Sequence, residues 1–270
     1  MKIDGKIVAA EIFERLKNKK NPKKFLAGIL VGENLASQKF LEQKKKTAME
    51  LGVDFRIYKF AEDISSDELR KEVHKISNHK TCGGVIVQLP LPGHINEQYI
   101  LNVVPPNKDV DVLGARALGD FYTKRSVVLP PSVETVKEII KKFPINLEES
   151  VVVVVGAGRL IGRPIASWFI GSAKELFVLD KGGDMGLLKR ADLVVSGAGA
   201  SSIIEGEALK KGAGIIDFGY GKTKEGKLGG DLNTASALEH LSFWTPTPGG
   251  TGPILVAKIL ENFFELNEEK

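Results

Sequence analysis

Two kinds of apolar pattern alternate along this chain. Short extended runs fall at Phe25–Val31, Asp54–Phe60 and Gly84–Gln88, and between them apolar side chains recur every third or fourth position over Ala36–Leu51 and Asp67–Ser77. The first kind reads as strand and the second as helix, which predicts repeated β/α wiring and a parallel sheet covered by helices. Gly52 stands where the first helix should stop, as a glycine just past its C-cap. The pattern loosens after Lys108 and resumes at Pro130-Pro-Ser132, followed by a helical stretch over Val133–Lys142. A second set opens with five valines, Val151–Val155, a strand expected to be buried on both faces. Strands at Leu176–Asp180, Asp192–Ser196 and Ala213–Phe218 follow, and a helix from Pro253 to about Phe264 closes the chain. The fold class is therefore α/β, with two α/β domains.

Three segments stand out chemically. Thr245-Pro-Thr-Pro-Gly-Gly-Thr-Gly-Pro253 packs prolines, which fix φ, among glycines, which permit close backbone approach, and so specifies a shaped loop suited to meet a ligand. Val87-Gln-Leu-Pro-Leu-Pro-Gly93 follows an apolar run and places Gln88 where a buried strand ends, the position at which open α/β sheets collect ligands. In Lys108-Asp-Val-Asp111, alternation on an extended chain would point Asp109 and Asp111 the same way. Ser37, Phe40 and Lys44 share one face of the helix that carries them, with Leu41 and Ala48 beside Lys44. A lysine so placed either snorkels from the apolar stripe or is functional, and spacing alone favours snorkelling.

Gly156-Ala-Gly-Arg-Leu-Ile-Gly162 follows the valine strand and opens a helix, the context in which backbone amides and a helix N-terminus hold a pyrophosphate. Asp180 ends the next strand, where a carboxylate bonds a ribose 2′-hydroxyl and repels a 2′-phosphate, which favours NAD. Lys181 and Arg159 are placed to serve a phosphate instead. The cofactor expectation is thus NADP or NAD.

In order and spacing these segments resemble the bifunctional methylenetetrahydrofolate dehydrogenase/methenyltetrahydrofolate cyclohydrolase family, the FolD type, over almost the whole chain. The resemblance implies a folate-binding catalytic domain over 1–128, completed by the helix over 252–270, and a Rossmann-type NAD(P)-binding domain over 129–251, with the proline-glycine loop at the cleft between them. It assigns Lys44, Gln88 and Asp111 to catalysis and pterin binding. It assigns Ser37, Phe40, Leu89, Pro90, Pro248, Gly249 and Gly250 to the folate, and Gly156, Ala157, Gly158, Arg159, Ile161, Gly162, Asp180, Lys181, Gly197 and Thr247 to the cofactor. Asp109 is given a structural part. The implied reaction is oxidation of 5,10-methylenetetrahydrofolate followed by hydrolysis of the methenyl product to 10-formyltetrahydrofolate. Folates bearing a glutamate tail and a homodimer are implied as well, with NADP the usual cofactor.

The chain departs from the family at several positions. Phe40 stands where the family has tyrosine, Val112 where it has glycine, Lys181-Gly182 where it has histidine-serine neighbours, and Pro131-Ser-Val-Glu-Thr135 lacks the usual cysteine, proline and glycine. Two rivals follow: a monofunctional dehydrogenase without the tyrosine hydroxyl, and a silent folate- or nucleotide-binding protein.

Composition narrows the field further. With 270 residues, 43% apolar and 27% charged, the chain is long and apolar enough to bury a core and is not disordered. No apolar run is long enough to span a bilayer, and Met1-Lys-Ile-Asp-Gly5 carries charge without a following apolar core, so no membrane partner and a cytoplasmic location are expected. The single cysteine, Cys82, excludes an internal disulfide. Net charge is +4, with lysines grouped at Lys17–Lys24 and Lys44–Lys46. Without interleaved aromatics the first group reads as a solvated face, and no nucleic-acid partner is expected. No metal-ligand cluster and no Gly-x-Ser-x-Gly motif is present.

Overall fold

The first half of the chain runs α1 (Gly5–Lys17), β1 (Phe25–Val31), α2 (Leu35–Glu50), β2 (Phe55–Phe60), α3 (Ser66–Ser77), β3 (Cys82–Val87), α4 (Glu97–Leu101), α5 (Ala115–Tyr122) and α6 (Pro131–Ile140) in the computed structural model. The second half runs β4 (Val151–Val155), α7 (Gly162–Phe169), β5 (Glu175–Leu179), β6 (Leu193–Ser196), β7 (Gly214–Asp217), β8 (Gly221–Lys222), β9 (Leu228–Gly229), β10 (Phe243–Trp244) and α8 (Thr251–Leu266). The structure describes residues 1–223, 226–236 and 238–268. Lys224, Glu225 and Ala237 of the expected dinucleotide domain, and Glu269 and Lys270 of the expected closing segment, lie outside the described residues.

The chain forms two units. One joins Ile12–Pro131 with the chain from Val256 onward, and the other joins Met1–Glu11 with Ser132–Leu255. We call them the first and second unit.

In the first unit a three-stranded parallel sheet has the order β2-β1-β3. All seven residues of β1 are buried, as expected of a central strand covered on both faces. Helix α2 lies close to it: a Cβ on Gly28 would come within 2.9 Å of the Leu41 side chain. The end of α2 follows from local sequence. Gly52 adopts φ 73°, its amide donates to Met49 O at 2.9 Å, and Val53 N donates to Ala48 O at 2.9 Å, which together satisfy carbonyls left open by the last turn. Helix α3 begins with a reciprocal cap, Ser65 and Glu68 each bonding the other's backbone. The C-terminal part of α8 completes this unit: Asn262 donates to Val110 O and Leu129 O, both at 2.9 Å, and Phe263 covers Gly84.

The second unit carries a five-stranded parallel sheet, order β10-β7-β6-β4-β5, and a small β8-β9 hairpin. Four of the five valines of β4 are buried between β5 and β6. The N-terminus, expected with the folate domain, groups here instead: Ile3 N donates to Trp244 O and Trp244 N to Met1 O, both at 2.9 Å, so the first residues run beside β10. Gly5 then meets the proline-glycine loop, donating to Gly249 O at 2.8 Å; a Cβ on Gly5 would lie 1.7 Å from Gly250 O. Among the described residues no helix is long and apolar enough to cross a membrane.

Candidate active site

Helix α2 presents Ser37, Leu41 and Ala48 as its buried stripe, and Lys44 falls between Leu41 and Ala48 on that same stripe. Asn34 starts the helix by accepting the Ser37 amide at 3.0 Å, which fixes the stripe's phase toward the sheet. The Lys44 stem is only half-buried, yet its amine turns inward and donates to Gln88 Oε1 at 3.1 Å. This is not the snorkelling geometry that spacing alone suggests. Gln88 is buried immediately past β3, its amide still on the sheet ladder through Ile29 O at 2.9 Å and its Nε2 donating to Leu89 O at 2.8 Å. Both ends of the Gln88 amide are therefore oriented, and its carbonyl oxygen faces the lysine.

Asp111 completes the cluster electrostatically. Burial pushes the Lys44 amine below its ordinary value, with the Asp111 charge opposing that shift. Burial pushes Asp111 up, with Lys44 opposing. Desolvation outweighs attraction on both partners, so each is moved toward its neutral form. Such a pair can exchange a proton with a bound substrate more readily than a solvated lysine or aspartate.

The segment carrying Asp111 is not extended. Residues 106–108 form a turn of 3₁₀ helix, Asp109 makes a single bridge with Val85, and the chain then turns through Val110 and Asp111. Asp109 and Asp111 accordingly take different parts. The Asp109 carboxylate accepts the amides of Leu113 at 2.9 Å and Gly114 at 2.7 Å, closing the turn ahead of α5, and is pushed up to about 6 mainly by burial. Val112, where the resembled family has glycine, adopts φ 55° and is buried, an unfavourable backbone for a β-branched residue held directly beside Asp111. Ser37 is buried on α2, Phe40 is half-buried one turn before Lys44, and Leu89 and Pro90 follow Gln88 at the strand end, so all lie in the first unit with the cluster. A groove of about 440 Å³ along β2 and α3, lined by Arg56, Tyr58, Lys59 and His79 among others, includes none of these residues.

Pro248, Gly249, Gly250 and Thr247 belong to the second unit. Their loop is built tightly: Gly249 takes φ 96°, Gly250 N donates to Pro246 O at 2.8 Å, and a Cβ on Gly250 would lie 2.4 Å from that oxygen. Apart from Thr247, which follows β10, the expected cofactor residues gather at the C-terminal ends of β4, β5 and β6. Gly156 takes φ 88°, and a Cβ on Gly162 would lie 1.7 Å from Gly156 O, so the first and last glycines of the loop are required by close approach. A Cβ on Gly158 would make an ordinary contact with Gly197 O at 3.9 Å, so this glycine is not so constrained. Helix α7 starts at Gly162 with no side-chain cap; Arg163 N donates to Gly158 O at 3.0 Å and Pro164 has no N–H, so of the first three residues the Gly162 amide is the one open to a ligand. Arg159 and Arg163 together make the loop electropositive, and burial, then the Arg163 charge, lower the Arg159 pKa. The Gly156 amide donates to Leu179 O at 2.7 Å, so Asp180, next in sequence and exposed, stands beside the glycine loop with Lys181. These cradles suit a dinucleotide. Gly197 lies at the end of β6, where its amide bonds Val155 O at 2.8 Å.

Two buried acids of the second unit escape the sequence reading. Asp217 ends β7 and Asp231 follows the β8-β9 hairpin, exposed by only 1% and 0%. Apart from the Gly219 amide beside Asp217, their donors come from distant segments, so little in the local sequence distinguishes them. Among the described residues no group of side chains could hold a metal ion.

Residues 3–111 match the family model for the tetrahydrofolate dehydrogenase/cyclohydrolase catalytic domain, and residues 130–270 match that for its NAD(P)-binding domain. A bifunctional protein FolD from Staphylococcus epidermidis is 35% identical over 268 residues, covering 96% of this chain and 94% of the relative. The crystal structure of the bifunctional FolD enzyme from Campylobacter jejuni superposes with a TM-score of 0.93 at 31% identity, over 99% of this chain and 98% of that one. A Trypanosoma brucei FolD structure, described as complexed with NADP cofactor and inhibitor, gives a TM-score of 0.91 at 27% identity, covering 98% and 96%. The clustering of Lys44, Gln88 and Asp111 and the glycine cradle thus sit in matched domains, and the chain belongs to the tetrahydrofolate dehydrogenase/cyclohydrolase family.

Proposed function

We propose that this protein oxidises 5,10-methylenetetrahydrofolate with a nicotinamide dinucleotide and hydrolyses the methenyl product to 10-formyltetrahydrofolate. The observation that carries the reading is the inward Lys44 amine, bonded to Gln88 and drawn toward neutrality by burial. The methenyl substrate is a cation, which an ammonium would repel and a neutral amine tolerates. Neutral Lys44 takes a proton from the attacking water as the C–O bond forms, while Gln88 Oε1 holds one amine N–H and so fixes the direction of the lone pair. Asp111 receives the pterin N–H groups, and Phe40, one turn from Lys44, supplies an apolar surface for the folate ring. Ser37, Leu89, Pro90, Pro248, Gly249 and Gly250 belong to the folate site in this reading.

The dinucleotide, when bound, supplies the hydride acceptor. Gly156, Ala157, Gly158, Arg159, Ile161 and Gly162 would hold its pyrophosphate, with Gly197 and Thr247 alongside. Asp180 beside the glycine loop would accept the ribose hydroxyls and disfavour a 2′-phosphate, so NAD is at least competitive with NADP, with Lys181 and Arg159 as the opposing charges. Polyglutamylated folates, a homodimer and a cytoplasmic location complete the proposal.

Purified protein mixed with methylenetetrahydrofolate and either dinucleotide tests it. Reduced cofactor should appear while methenyltetrahydrofolate fails to accumulate. Accumulation of the methenyl compound would favour the monofunctional dehydrogenase that Phe40 suggests, and neither change would leave a silent binder. NAD should be at least competitive; a preference for NADP above about tenfold, or about 1.4 kcal/mol, would show that Lys181 or Arg159 overrides Asp180.

A further inference from the structure

The sheet of the second unit changes its direction of winding beside β4. The chain passes from β4 to β5 on one side and then crosses to β6 on the other. Ligands of open α/β sheets bind in the crevice outside the strand ends at such a reversal. Two loops leave this point, Gly156–Gly162 after β4 and Gly197–Ala200 after β6, and they press on each other. A Cβ on Gly156 would lie 2.7 Å from both Cα and N of Ala198, and one on Gly197 would lie 2.5 Å from the Ile161 side chain.

A buried carboxylate holds the second loop. Asp231 Oδ2 accepts the Ser196 hydroxyl at 2.6 Å and the Ala198 amide at 2.8 Å, and Oδ1 accepts the Ala200 amide at 2.8 Å. All three partners are uncharged, so burial of this carboxylate depends on the loop keeping its shape, and the loop's shape depends on the carboxylate. Asp217 lies against it, accepting the amides of Gly219 at 2.6 Å and Leu232 at 2.9 Å, and is pushed up to about 6 by burial, with the Asp231 charge adding to the effect. Gly230 passes beside Asp217 and the proline-glycine loop: a Cβ there would lie 2.1 Å from Asp217 Oδ2 and 2.8 Å from Thr247 Oγ1.

This arrangement leaves one loop amide for a ligand. Gly197 N is used by Val155 O, and Ala198 N and Ala200 N are used by Asp231. Gly199 between them is exposed, takes φ 67°, and has open space where a Cβ would point. We infer that Asp231 is a positioning residue for the dinucleotide: it clamps Ala198 and Ala200 so that the Gly199 amide is presented to the anionic cofactor at the crevice. The inference rests on the second unit binding a dinucleotide.

Two substitutions test it. In Asp231→Asn the side-chain NH₂ must face either the Ala200 amide or the Ser196 and Ala198 donors, so at least one clamp is lost. Ser196→Ala removes one donor and leaves both amide bonds. Titration should show dinucleotide Kd raised about tenfold or more in Asp231→Asn and about threefold in Ser196→Ala, with folate Kd within about twofold of the parent in both. A Gly199 amide no longer presented changes cofactor binding selectively, whereas a purely structural acid would weaken both ligands together. Equal loss of both affinities in a variant that melts cooperatively overturns the inference, and so does an unchanged dinucleotide Kd. If Asp231→Asn does not fold, Ser196→Ala decides by the same criteria. A parent that binds neither NAD nor NADP would sink the dinucleotide reading itself, whereas a parent that binds normally beside two unchanged variants sinks this inference alone.

Discussion

Lys44 differs from Lys45 and Lys46 in direction, because the phase of α2 sends its stem along the stripe of Leu41 and Ala48 and its amine to Gln88. Its proton is held less tightly than an ordinary lysine's, with burial lowering and Asp111 raising the affinity. Hydrolysis should therefore rise with pH as Lys44 loses its proton. Asp111→Asn removes the attraction that retains the proton, so the rising limb of the pH–rate profile should move to lower pH while folate binding weakens. A limb that stays in place or moves upward would show that another group titrates. Phe40 gives a second check. Hydride transfer needs positioning, which the phenyl ring supplies, whereas hydrolysis moves protons, which a hydroxyl near Lys44 assists. Phe40→Tyr should increase the ratio of hydrolysis to oxidation several-fold if a hydrogen bond of about 1 kcal/mol is gained. An unchanged ratio in a folded variant would mean that the ring does not face the chemistry.

Elements whose instructions are local were legible in the sequence. The buried strands β1 and β4 announce themselves as apolar runs, Gly52 terminates α2 where expected, and α8 begins at Thr251, so that Pro253 lies in its first turn. Interactions between distant segments were not legible. Gly5 is read as part of an unremarkable N-terminus until Gly250 is brought against it, and Asp231 as a loop residue until Ser196, Ala198 and Ala200 surround it. The turn at Asp109–Val112 fails the extended reading for the same reason: capping of Leu113 and Gly114 by Asp109 bends the chain, which alternation cannot anticipate. This turn carries a stability prediction. At ordinary positions glycine is less stable than alanine by about 1 kcal/mol, but a site at φ 55° reverses the order because alanine retains the clash that glycine removes. Val112→Gly should be at least as stable as Val112→Ala in denaturant unfolding. An alanine variant more stable by about 1 kcal/mol would mean that Val112 is not held in the left-handed region.

Across the whole molecule the labour divides by unit. The first carries the lysine, glutamine and aspartate, and the second carries the glycine cradle and the clamped loop after β6. Changes in one unit should thus separate the two half-reactions rather than depress them together. The most direct measurement compares Lys44→Met with the parent under identical conditions, following formation of reduced nicotinamide and disappearance of methenyltetrahydrofolate separately. Methionine keeps most of the stem and removes the amine. The account predicts a fall in hydrolysis of about hundredfold or more, about 2.7 kcal/mol of barrier, in a protein that still binds folate and dinucleotide. Hydrolysis within about threefold of the parent, about 0.7 kcal/mol, would contradict the assignment of Lys44 as the group that accepts the proton.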